Sequence, residues 1–261
     1  MAFSLPPRAL IGAIHLPALP GAPNNHLTFE QVVDRALADA RALERGGAAA
    51  CIIENFGDAP FRKDTVDPHV PAIICLIAHQ IRAETSLSIG INILRNDALS
   101  ALGAAAAASA NFIRVNVHSG AAVTDQGLIE GSADKTLRYR AALGSTVAIA
   151  ADVDVKHAKP LVSRPLKEIA DETYHRAHAD ALIVSGAGTG MEPATDDLLC
   201  VRRAVPEAPL WLGSGLTLDN LGRFRPLCDA FIVGTALHDS NDLLAPIAEN
   251  RVAAFVSALA E

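Results

Sequence analysis

Eight short runs rich in Ile, Val, Leu and Ala recur along the chain, and a stretch with helical spacing follows each one. They are LIGAIHL, ACIIEN, LSIGINIL, FIRVNV, TVAIAADV, ALIVSG, PLWLGSG and AFIVGT. Strands that alternate with helices throughout predict a parallel sheet joined by right-handed crossovers, and eight such units favour closure into a barrel over an open sheet. The chain has 261 residues, close to the length of one closed α/β barrel. Apolar residues make up 50% of it, and no Pro/Ser-rich linker or charge block interrupts them. One α/β domain spanning residues 1–261, a (β/α)₈ (TIM) barrel, is the expected fold.

Local punctuation supports that register. Thr28 and Gln31 have capping-box spacing ahead of an apolar stripe that runs from Phe29 through Val32, Val33, Ala36, Leu37, Ala40 and Leu43 and stops at Gly46-Gly47. Asp67-Pro68 predicts the start of the next helix, and a closing helix is expected from about Glu249 to the C-terminus. Successive residues of a strand face opposite ways. In the fourth run Ile113, Val115 and Val117 therefore face the helices, while Arg114, Asn116 and His118 look inward; in the fifth, Val147, Ile149, Val153 and Val155 oppose Asp152, Asp154 and Lys156. The inward polar residues gather at the C-terminal ends of the strands, where barrels of this kind build their sites.

Two glycine turns point to a ligand. Gly213-Ser214-Gly215 after the seventh strand and Gly234-Thr235 after the eighth predict a phosphate cradle, because glycine lets backbone N–H groups approach an oxyanion and the hydroxyls add donors. Gly188, within Gly186–Gly190, extends the same surface, although this segment lacks the ending of a P-loop. Tight strand-to-helix turns with no ligand would read alike. The candidate catalytic groups are Asp152, Asp154 and Lys156 on the fifth strand, Glu54 on the second and His15 on the first. A lysine between carboxylates can shuttle protons or form an imine, and Glu54 facing it can act as acid or base. A buried ion-pair network, a carboxylate capping the Gly57 turn and a core histidine are the structural alternatives. Asn55, Asp58, Asn92, Arg114, Asn116 and Ser185 complete a substrate-binding set, with Arg114 suited either to an anion or to a strut. The polar, glycine-flanked stretch from Val123 to Gly131 reads as a lid or as an ordinary surface loop.

The formal net charge is −7 with both signs interspersed, which argues against a nucleic-acid or anionic-membrane surface. Cys51, Cys75, Cys200 and Cys228 have no metal-type spacing, and no run of about 20 apolar residues offers a membrane span. A cytoplasmic protein with a phosphorylated small-molecule ligand is expected. It needs no predicted cofactor, a divalent metal is not excluded, and there is room for a homo-oligomer.

The motifs IGAIHLPALPGAP, IIENFGDAPF, GINILRND, FIRVNV, VTDQGLIEG, ADVDVKHAKPL, SGAGTG, LGSGLTLDN and IVGTALH, in that order, resemble the BtpA family, which includes SgcQ-type proteins of bacterial sugar operons. The resemblance covers nearly the whole chain and implies a TIM barrel of the ribulose-phosphate-binding type. It brings two functional labels, membrane-complex (photosystem) biogenesis and phosphoribosylanthranilate isomerase. Such an isomerase uses a cysteine at the end of its first strand, where this chain has His15, and an aspartate on the fifth, a place open to Asp152 or Asp154. Family members usually carry a lysine where this chain has His238. The resulting expectation is an enzyme acting on a small phosphorylated sugar or glycoside by isomerase, lyase or glycosidic-cleavage chemistry. The alternatives are a non-catalytic biogenesis factor and a sugar-phosphate sensor.

Overall fold

The computed structural model describes residues 3–154, 158–186, 188, 190–240, 242–243 and 245–261, with the side chain of Asp154 outside that description. Eleven strands are present among the described residues: β1 (Ala9–His15), β2 (Ala50–Glu54), β3 (Ser88–Asn92), β4 (Phe112–Val115), β5 (Ala121–Thr124), β6 (Gly127–Glu130), β7 (Ala148–Asp154), β8 (Ala158–Pro160), β9 (Ala181–Val184), β10 (Leu210–Leu212) and β11 (Ala230–Val233). Eight of them close a barrel in the order β1-β11-β10-β9-β7-β4-β3-β2, with every pairing parallel. These are the eight runs the sequence singles out.

The helices are α1 (Phe29–Arg45), α2 (His69–Glu84), α3 (Ala98–Ala108), α4 (Ala133–Ala142), α5 (Leu166–Asp171), α6 (Thr195–Ala204), α7 (Leu221–Phe224) and α8 (Glu249–Ala260). Thr28 and Gln31 form the expected capping box on α1, and α8 begins where the periodicity places it. Helix α2 starts one residue later than Asp67-Pro68 suggests: Pro68 is its N-cap, and Asp67 turns its carboxylate to Arg62.

Strand alternation divides the core in two. Leu10, Ile14, Ile53, Ile91, Ile113, Val115 and Ile149 pack outward against the helices. Ala9, Ile11, Ala13, Ile52, Phe112, Ala150, Ile183, Trp211 and Ile232 fill the barrel interior. Phe112 seals the lower end, stacked on Phe3 at 5.5 Å and meeting Trp211 edge-on at 5.2 Å between centroids. Gly90 is what admits that ring, since a Cβ there would lie 2.2 Å from it.

Three polar side chains staple the same end. Asn111, Asp180 and Asp229 precede β4, β9 and β11, and their side-chain oxygens accept from the backbone N–H of Ile89, Ile149 and Leu210. Each of the three also donates its own N–H to the carbonyl of the same partner, so strand starts that would otherwise be unsatisfied are closed. Cys51 and Cys228 are buried, and burial pushes both thiols up to about 12. Neither is a nucleophile at neutral pH.

The stretch from Val123 to Gly131 is neither a simple loop nor a helical lid. Strands β5 and β6 form an antiparallel hairpin, and β8, from the connection after β7, joins its other edge. The result is a three-stranded sheet outside the barrel, anchored by Val117, Ala122 and Ile129.

Candidate active site

Register alone assembles the first row of the site. Parallel pairing sets His15 beside Glu54 and Glu54 beside Asn92, so the ends of β1, β2 and β3 present three polar side chains at one level of the barrel. Asn92 Nδ2 donates to Glu54 Oε1 at 3.1 Å, and His15 Nε2 lies 3.8 Å from Glu54 Oε2. The His15 ring is held between Phe56, at 4.7 Å, and His238, at 5.9 Å between centroids.

Arg114 links this row to the far side. Its Nε and Nη2 bind Asp152 in a two-pronged contact at 2.9 Å each, and its Nη1 reaches Glu54 Oε1 at 3.2 Å. Asn116 Nδ2 and Ser185 Oγ donate the remaining bonds to Asp152, at 2.9 and 3.1 Å. Burial of the guanidinium opposes its charge, but Asp152 and Glu54 more than compensate and raise its pKa above the ordinary arginine value. Asp152 thus accepts four hydrogen bonds with its side chain fully covered. Its acceptor positions are all used, which makes it a residue that positions Arg114 rather than a proton carrier.

Strand parity groups Asp154 and Lys156 with Asp152 on the inward face. The side chain of Asp154 and all of Lys156 lie outside the described residues. The ladder between β7 and β9 skips a residue between Asp152 and Asp154, and such a bulge breaks the alternation on which that grouping rests.

Asn55 and Asp58 are placed away from the network. After Glu54 the chain enters a short 3₁₀ turn, Phe56–Asp58, so strand parity ends there. Asn55 bonds the backbone of Leu94 in both directions, and Asp58 accepts from Leu19 N at 2.8 Å and from Asn55. These side chains tie together the loops after β1, β2 and β3 and act on the site only through them. Asp58 is half-buried, and burial raises its pKa despite those two donors.

The glycine turns meet the charged row in a single cleft. It has a volume of about 170 Å³ and is lined by His15, Glu54, Arg114, Gly213–Gly215 and Gly234–Thr235. A Cβ at Gly234 would stand 2.5 Å from His15 Cε1; one at Gly215, whose φ is +76°, would stand 2.2 Å from the backbone N of Glu192. Both positions therefore require glycine. Ser214 Oγ accepts from Gly186 N and donates to Met191 O, each at 3.0 Å, so its hydroxyl proton is already committed to joining the loops after β9 and β10. Gly190, rather than Gly188, lines the cleft among the described residues.

Two contributions escaped sequence reasoning. Glu192 pairs with Arg223 and accepts from Asn220 Nδ2, which also donates to Gly215 O at 2.8 Å, and this brace fixes the cradle from outside. Arg95, following β3, is 6% exposed. Burial lowers its pKa, while Asp125 on the β5–β6 hairpin and Asp152 pull it back up. The charged residue directly after INIL was the available signal. Among the described residues, no group of three His, Cys, Asp or Glu is arranged to hold a metal, and no helix is long and apolar enough to cross a membrane.

Fold and site define a (β/α)₈ barrel with a charged mouth at the C-terminal ends of its strands, open beside two glycine turns. The BtpA family model matches residues 7–261, and the chain belongs to that family. It is 43% identical over 252 residues to the photosystem I biogenesis protein BtpA of Synechocystis, covering 97% of this chain and 88% of the relative. An uncharacterized Methanocaldococcus jannaschii protein is 42% identical, with 87% of this chain and 86% of that one covered. Solved structures of similar shape include phosphoribosyl anthranilate isomerase from Thermus thermophilus, at TM-score 0.59 and 15% identity over 97% of this chain and 98% of the other. Another is KGPDC from Streptococcus mutans in complex with a phosphorylated sugar, at TM-score 0.61 and 12% identity over 97% of each chain. At such identities these likenesses speak for the fold alone.

Proposed function

We propose that the protein is an enzyme that moves a proton at a carbon of a small phosphorylated sugar. One observation carries the reading: the two glycine turns and the His15–Glu54–Arg114 group line the same cleft. In this account the backbone N–H groups around Gly213–Gly215 and Gly234–Thr235 hold the phosphate. Glu54, with His15 beside it, takes up or delivers the proton. Arg114, held in place by Asp152, stabilises negative charge as it develops on a substrate oxygen. The ligands of this barrel's structural neighbours support the assignment, since one neighbour is a phosphoribosyl anthranilate isomerase and another was solved with a phosphorylated sugar bound. Lys156 and Asp154 stay in the proposal as further proton carriers at the same mouth.

Thr235→Asp tests the cradle by placing a carboxylate beside the phosphate position. In a thermal-shift screen against pentose and triose phosphates, the wild type is expected to be stabilised by at least one of them, and the variant by none. At a ligand concentration 100 times its dissociation constant the stabilisation is about 2.7 kcal/mol. No response of the wild type to any phosphorylated sugar would overturn the reading.

A second reading, a non-catalytic assembly factor, draws on the name of the Synechocystis relative and on Val123, Leu161 and Val162, which are exposed on or beside the outer sheet. It predicts association through that sheet with no turnover.

A further inference from the structure

The cleft is small beside the roughly 300–1,000 Å³ of pockets that enclose a whole ligand. A second cavity, of about 400 Å³, lies between the outer sheet and the barrel mouth, lined in part by Asn116, Asp152, Val153, Leu161, Ile169 and Thr173. The two spaces are separated by little more than one hydrogen-bonded group: Arg114 lines the cleft, Asp152 and Asn116 line the cavity, and Asp152 holds both of the other side chains at 2.9 Å. Asn116 is 5% exposed. Its amide orientation is determined, because a carboxylate only accepts and Nδ2 must therefore face Asp152. That leaves Asn116 Oδ1 buried with no partner among the described residues. A buried carbonyl oxygen at a cavity wall calls for a donor from whatever occupies the cavity.

The rest of the lining narrows the occupant. Val153, Leu161 and Ile169 offer apolar surface, and the described charged groups are Glu130, Asp152 and Glu172 against Arg164 alone. Arg164 is itself bound to Glu172 through two contacts, at 2.7 and 2.8 Å. An anionic group is disfavoured there, as is a polyol that is polar on every side. The complementary group is an uncharged ring with apolar faces and an N–H or O–H donor on its edge.

We infer that this cavity is a second ligand compartment, and that the substrate is bipartite, with its phosphate in the glycine cradle and an uncharged, donor-bearing ring beneath the outer sheet, hydrogen-bonded to Asn116. The inference rests on the phosphate reading of the cleft. It makes Asn116 a specificity-determining residue and accounts for the sheet as the roof of the ring's compartment.

Calorimetric titration with ribose 5-phosphate and with the four common ribonucleoside 5′-monophosphates tests it. At least one nucleotide is expected to bind ten times or more tightly than ribose 5-phosphate. Asn116→Leu is expected to remove that advantage while leaving ribose 5-phosphate within twofold of the wild type. Val162→Trp obstructs the cavity from a side chain that is 68% exposed, so it keeps the test valid if Asn116→Leu folds poorly; it should have the same selective effect. If ribose 5-phosphate binds and no nucleotide binds more tightly, the second compartment is overturned and the cradle stands. An equal loss of both ligands in a folded Asn116→Leu also overturns it, since Asn116 would then serve only to hold Asp152. Binding of none of the five overturns the cradle and the compartment together.

Discussion

Replacing Arg114 with leucine is expected to cost about 3–5 kcal/mol of stability, the penalty for leaving buried carboxylates without their cation. Arg114 and Asp152 expose 2% and 0% of their side chains, and Glu54 exposes 5%. The variant therefore strands two acids in the barrel mouth with Asn92, Asn116 and Ser185 as neutral donors. For a domain of this size each kcal/mol moves the melting temperature by roughly 2–4 °C, so calorimetry should record a fall of roughly 6–20 °C. The double variant Arg114→Leu with Asp152→Leu should recover much of that loss, because an apolar pair of similar volume avoids the desolvation cost. A single variant within about 1 kcal/mol of wild type would mean that the ion pair does not organise the mouth.

The largest effect on activity is expected from Glu54→Gln. The amide keeps an oxygen that can still accept from Asn92 and Arg114, so the fold and the cleft should persist, while the group that exchanges a proton is gone. Turnover of the substrate is expected to fall by about 10²–10⁴-fold, the usual contribution of general acid–base catalysis. Affinity for the same ligand should stay within a few-fold, so the loss appears in kcat and not in KM. Unchanged turnover with intact binding would remove Glu54 from the chemistry and transfer the proton step to His15 or to the β7 residues.

Much of this site can be read from alternation. His15, Glu54, Asn92, Arg114, Asn116 and Asp152 sit at strand positions whose parity points inward, and the barrel places them together as that parity requires. Alternation stops being informative where a strand stops being regular. The 3₁₀ turn after β2 sends Asn55 and Asp58 into loop contacts, and the skipped residue after Asp152 removes the basis for grouping Asp154 and Lys156 with it. Ser214 shows a different gap: its place in a Gly-Ser-Gly turn is visible in sequence, but the partners that occupy its hydroxyl, Gly186 and Met191, come from a loop 23 to 28 residues away. The outer sheet was hidden for a similar reason, because β8 pairs with a hairpin on the far side of α4, and a three-residue strand carries too little pattern to announce itself.

The most direct test of the account is a crystal structure of the protein with the phosphorylated sugar that stabilises it most. The phosphorus atom is predicted to lie between Gly213–Gly215 and Gly234–Thr235, within hydrogen-bond range of their backbone N–H groups, with the sugar carbons directed at Glu54 and His15. Clear density for the ligand at any other place on the molecule, with the cleft beside His15 left unfilled, would contradict it.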